Sequence, residues 1–140
     1  MRNSARSALL AFGTALQVLA GGAHACGVCV EDRVAAVYDH SVVEGAARRG
    51  HAVAFLALVG APALDATHAQ ALRDALAAVK GAERATVRVS PESASCSVAF
   101  DPARASPETL VAEVNRRLAR HGLTVAPLQV GTAGTALRKD

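Results

Sequence analysis

Hydrophobic and polar positions alternate along this chain with two different periods, and the switches between them mark out a series of short elements. From Glu31 to about Arg49 the apolar positions Val30, Val34, Val37 or Tyr38, Val42 and Ala46 recur at steps of three and four, which predicts a helix. Glu31 and Asp32 in its first turn and Arg48, Arg49 and Gly50 at its end suit the helix dipole and a glycine stop. Val53 to Val59 is apolar at every position, so the strand it predicts has both faces covered, and Gly60-Ala61-Pro62 ends it. A second helix is expected from about Thr67 to Lys80, with Leu72, Leu76 and Val79 at core spacing and Gly81 as its stop. Strict alternation follows twice, at Ala85, Val87 and Val89 and at Cys96, Val98 and Phe100, which predicts two half-buried strands joined by a turn at Pro91-Glu92-Ser93. Ser106-Pro107-Glu108 is a helix start with Ser at the N-cap and Pro at the first helical position; Leu110, Val111, Val114 and Leu118 carry that helix to His121-Gly122. Leu123 to Val130 reads as a last strand, an edge strand because Pro127 cannot donate a ladder hydrogen bond.

The order after the first helix is β-α-β-β-α-β over residues 51–130, so the expected class is α+β, a ferredoxin-like sandwich preceded by an extra helix at 26–50. Two helices cover one sheet face in such a fold. The other face would carry Phe55, Ala57 and Val59 beside the small residues Ser95, Ser97 and Ala99. That apolar stripe suits a docked helix, so either helix 31–49 covers it or two molecules self-associate through it. Residues 131–140 are expected to be a disordered tail.

The first 25 residues change the picture. Arg2 and Arg6, the apolar run Ala8 to Ala20 and the small-x-small sequence Ala23-His24-Ala25 make a cleavable signal peptide, and the run is too short to span a bilayer. The expected mature protein is therefore periplasmic or secreted, one domain of about 115 residues without a membrane span. No leucine stands three positions before Cys26, which speaks against lipid anchoring. The leader holds two of the 15 basic residues and none of the 12 acidic ones, so the mature charge is roughly +1. Scattered basic residues and few aromatics argue against nucleic acid. No nucleophile-base-acid set, phosphate loop or close carboxylate pair stands out, and the reading is not an enzyme.

Candidate chemistry lies in Cys26-Gly27-Val28-Cys29, placed where the leader ends and the first helix begins. Two thiolates three residues apart reach one soft ion: Cu(I) in linear or trigonal geometry, or Zn(II) as half of a tetrahedral site. In an oxidising compartment the same pair can instead be a structural disulfide or a redox-active dithiol. Thioredoxin-type proteins place C-G-x-C after a strand, and none precedes it here. Cys96, third and odd, alternates with Val98 and Phe100 and reads as a small buried hydrophobe. Asp65 and His68 form an Asp-x-x-His at a helix start, a secondary metal candidate or simply an N-cap with an exposed histidine. His40 would lie about three turns from Cys29 in a straight helix, roughly 16 Å, too far to share its ion.

Val53 to Val130 resembles the heavy-metal-associated domain of copper chaperones and P-type metal ATPases. The resemblance is carried by the apolar strand into Gly60, by Val79-Lys80-Gly81-Ala82, by Cys96-Ser97-Val98-Ala99-Phe100-Asp101-Pro102, and by Ser106-Pro107-Glu108-Thr109-Leu110-Val111. It implies the ferredoxin-like fold and the binding of Cu(I) or Zn(II), with a metal ion or another envelope metal-transport protein as partner. The family binds metal through G-M-x-C-x-x-C between its first strand and helix. Here those thiol positions fall on Ala63 and Ala66 counting from Gly60, or on Asp65 and His68 counting back from Gly81, so no thiol stands in the loop. Three readings follow: a copper-binding or chaperone-like protein using Cys26 and Cys29, an interaction module with a structural disulfide, and a thiol-disulfide partner.

Overall fold

A computed structural model of the chain describes residues 29–61 and 63–131. The stretch read as a signal peptide, Cys26 and the residues beyond Gly131 lie outside the described residues. Helices α1 (Val30–Ala35) and α2 (His40–Arg48) lead into strand β1 (Ala52–Leu58) and helix α3 (Ala66–Ala77). Strands β2 (Arg88–Ser90) and β3 (Ser95–Phe100), helix α4 (Pro107–Leu118) and strand β4 (Val125–Gly131) complete the order. The sheet runs β2-β3-β1-β4 with every neighbouring pair antiparallel. This is the ferredoxin-like β-α-β-β-α-β arrangement, and the class is α+β as the periodicities indicate.

Its termini are set by local chemistry. Ser106 Oγ accepts from Thr109 N at 3.1 Å, with Pro107 at the first helical position of α4. Gly81 takes φ +92° after α3, and a Cβ there would meet that of Arg104 at 3.1 Å, so glycine is required by conformation and by space. Pro127 lies opposite Leu56 on the edge strand β4, next to a bulge that shifts the register so that Phe55 faces Gln129.

Two cores flank the sheet. Leu56, Leu58, Cys96, Val98 and Phe100 point to α3 and α4, where Leu72, Leu76, Leu110, Val114 and Leu118 meet them. On the other face Val53, Phe55 and Ala99 pack with Val37, Val42 and Ala46 of the chain's own N-terminal segment. The face read as available for self-association is therefore filled within one chain. For the same reason β3 is buried at all six positions rather than on one side.

The expected single helix over 31–49 is broken in two. Asp39 leaves the helix with extended backbone and caps α2, Oδ1 accepting from Ser41 N at 3.0 Å and Val42 N at 3.2 Å. Its other oxygen takes the Arg88 fork from β2, at 2.9 and 3.1 Å. Ser41, Arg88 and Val42 together hold the Asp39 carboxyl down at about 2. The break lets Tyr38 stack on Phe55, ring centroids 6.3 Å apart and planes at 11°. At the far end of α2, Arg49 grips Glu83 with two hydrogen bonds and His51 joins the same carboxylate, tethering the end of the N-terminal layer to the loop before β2. Burial works against the Glu83 charge, but His51 and Arg49 hold its carboxyl below the ordinary range.

These carboxylates make the N-terminal layer acid-sensitive. A group at 3.8 when free and about 2 when docked contributes stability that is complete above the first value and lost as pH falls through the second. Tyr38 is the only tyrosine, and the chain has no tryptophan. Its near-ultraviolet dichroism is therefore expected to flatten between about pH 4 and 2, and to do so at higher pH in Asp39→Asn. A signal unchanged down to pH 2 in both proteins contradicts this.

Candidate metal centre

Cys29 is the N-cap residue of α1 and is exposed. The register of the sheet tells where it lies. Ser95 Oγ donates to the Arg33 carbonyl at 2.9 Å and Ser97 Oγ to the Val37 carbonyl at 2.8 Å. Ser95 lies opposite Ala57, near the end of β1, and Ser97 opposite Phe55, at its middle. The segment therefore runs antiparallel to β1, and Cys29 stands about one turn, roughly 6 Å, beyond Arg33. That is the end of the sheet where β1 passes into the loop before α3. The same end gathers Leu64 N–H on the Pro91 carbonyl and Val59 N–H on the Thr124 carbonyl, each at 2.8 Å. Val30 and Val59 are the exposed large apolar residues there.

The buried serines hold this geometry. Ser95 and Ser97 are buried, yet each hydroxyl finds a backbone carbonyl, Arg33 in α1 and Val37 in the turn after it, and Ser93 Oγ lies 2.7 Å from Ser95 Oγ. Because Ser95 donates to Arg33, Ser93 supplies the proton of the serine pair. Buried hydroxyls satisfied in this way fix the register of α1 on the sheet more sharply than apolar contact can.

Asp65 and His68 come together, but with each other. Asp65 Oδ1 caps α3 through His68 N at 2.8 Å, and Oδ2 pairs with His68 Nδ1 at 2.9 Å. The His68 backbone bond is the main cause holding the Asp65 carboxyl below its ordinary range. They belong to α3, on the sheet face opposite α1, whereas the donors of one ion must lie within about 4 Å of each other. Cys29 and His68 thus start from opposite faces of the sheet, and His68 is engaged by Asp65. Among the described residues no three His, Cys, Asp or Glu side chains form a cluster that could hold an ion. His40 opens α2 and pairs with Glu44 at 3.1 Å, away from Cys29.

Cys96 is in the α3–α4 core, as its alternation indicates, and burial pushes its thiol up to about 12. In reduced native protein a thiol reagent is expected to titrate Cys29 and Cys26 rapidly and Cys96 only after unfolding. Three fast thiols before denaturant is added contradict this placement.

One residue near Cys29 was not singled out by sequence reasoning. Arg33 N–H donates to the Cys29 carbonyl at 3.0 Å, one turn along, and Arg33 Nε is buried without a hydrogen-bond partner among the described residues. Its i+4 spacing from a cysteine was the available signal.

The element order and sheet define a ferredoxin-like α+β protein with an added two-helix layer. No family model matches the chain, and no curated protein is similar to it. Similar solved structures include oxidized MerP from Ralstonia metallidurans CH34, 22% identical, covering 56% of this chain and 99% of that one with a TM-score of 0.45. A copper binding domain from a P-type ATPase is 19% identical over 56% of this chain and 96% of that one, TM-score 0.47. The mercury-bound form of MerP, the periplasmic protein from the bacterial mercury detoxification system, is 25% identical over 56% and 99%, TM-score 0.43. Among the described residues no helix is long and apolar enough to cross a membrane.

Proposed function

We propose that this protein is an exported, non-enzymatic carrier of a soft heavy-metal ion, copper first, with Cys26 and Cys29 as its ligands. The observation that carries the reading is the placement of Cys29, an exposed thiol at the end of a helix clamped over the sheet, while Cys96 is sealed in the core. The donors suit the cargo. Two thiolates three residues apart match Cu(I), and two further ligands would be needed for Zn(II). The loop that carries the thiols in the resembling family leads here to Asp65 and His68 at the start of α3, which pair with one another. Cys29 instead opens the added helix, at the same end of the sheet but on its opposite face. A periplasmic location follows from the leader, and delivery to or from another envelope metal-transport protein is the corresponding role. Anaerobic titration with Cu(I) against a chromophoric chelator tests this, one equivalent being expected in the reduced protein.

A further inference from the structure

We infer that the groove between α3 and α4 is a binding site for a small polyanion, a compact molecule carrying two or more carboxylate or phosphate groups. The groove belongs to the helix layer on the sheet face away from α1 and α2, and none of the thiols lines it. Its volume is about 340 Å³, the size of a small-molecule site. One wall is α3 and its C-cap, where Ala71, Ala75 and Ala78 recur at steps of four and three and present only methyl groups. The other wall is Arg116 and Arg117 of α4 with Arg120 of the 3-10 turn that follows it.

The charge on this wall is not balanced within the protein. Arg116 and Arg117 share the single carboxylate of Glu113, Arg117 donating through Nε at 3.1 Å and Nη2 at 2.7 Å. Arg120 has no acidic partner among the described residues, and its Nε donates to His121 Nε2 at 3.1 Å. Asp74 is the acid that lines the groove, and its Oδ1 accepts from the Gln70 amide at 2.9 Å. Three guanidinium groups against two carboxylates leave one positive charge over. Most of the guanidinium N–H groups have no acceptor among the described residues. The grip of Glu113 restrains two of these forks in advance, so less side-chain freedom is lost when an anion is taken. A guanidinium fork fits carboxylate and phosphate oxygens alike. Two such groups on one molecule can bridge neighbouring forks, whereas a single exposed pair is screened by salt.

Calorimetric titration of the metal-free protein with pyrophosphate and, separately, citrate tests this. At roughly 0.15 M salt at least one of them should bind with a Kd below about 1 mM, and acetate should not. Preference for one of the two tells a phosphate ligand from a carboxylate one. Arg117→Gln/Arg120→Gln should weaken binding about tenfold or more. Ala78→Leu, at an exposed position of the groove, fills it without touching a charge and should weaken binding as much. Asp74→Asn removes the opposing acid and should strengthen binding about two- to fivefold. Arg48→Gln, on α2, removes the same charge elsewhere and should change affinity less than about twofold. Binding of neither anion, an equal loss in Arg48→Gln, or full affinity in Ala78→Leu overturns the inference, and none of these results bears on the thiol site.

Discussion

Phe55→Ala is expected to release α1 and α2 from the sheet while the β-α-β-β-α-β domain stays folded. Phe55 is the largest side chain of the second core, packed with Val37, Val42 and Ala46 and stacked on Tyr38. Truncating a buried phenylalanine costs about 3–5 kcal/mol. The layer it holds is otherwise fixed by two serine hydroxyls and by the Asp39–Arg88 and Arg49–Glu83 pairs at partly exposed positions. Such a layer opens before the domain does. Hydrogen exchange should show amides 30–48 losing protection while those of β1 and β3 keep theirs, and the Tyr38 dichroism should collapse. Phe100→Ala, in the α3–α4 core, should cost a similar free energy but lower the stability of the whole domain, within a total of about 5–15 kcal/mol. Uniform loss of protection throughout Phe55→Ala contradicts the two-core account.

Most of this architecture was legible in the sequence, because period-2 and period-3.6 patterns report burial directly. β1, apolar at every position, announced a strand covered on both faces, and the Ser106-Pro107 start of α4 was stated by capping chemistry alone. The break at Asp39 was not seen, because Val34, Tyr38 and Val42 keep helical spacing across it. What interrupts the helix is a side chain capping two residues onward and anchored by Arg88, 49 positions away. The signal was Asp39-His40-Ser41, a capping sequence in the middle of an apparent helix. Ser95 and Ser97 read as small residues beside an apolar stripe that a helix could cover, but only tertiary structure shows which carbonyls they meet. Arg33 went unnoticed because its i+4 spacing from Cys29, the one signal the sequence offered, says nothing of burial or of an unpaired nitrogen.

The largest functional effect is expected from the thiol pair. Cys26→Ser/Cys29→Ser replaces soft donors by hard, neutral hydroxyls that cannot compete for Cu(I), so binding should fall by more than a hundredfold, about 3 kcal/mol. The fold should be untouched, because Cys29 is exposed and its side chain makes no cap hydrogen bond. Cys96, which does matter to the core, remains in place and, held at about 12, offers no thiolate that could substitute. Replacement of Asp65 or His68 should leave Cu(I) binding unchanged, because that pair lies on the other sheet face and closes on itself. The decisive measurement is an anaerobic Cu(I) competition titration of the reduced wild-type protein beside Cys26→Ser/Cys29→Ser. One equivalent held by the wild type and none by the double variant is the expected result; equal binding by both, or none by either, contradicts a carrier built on these thiols.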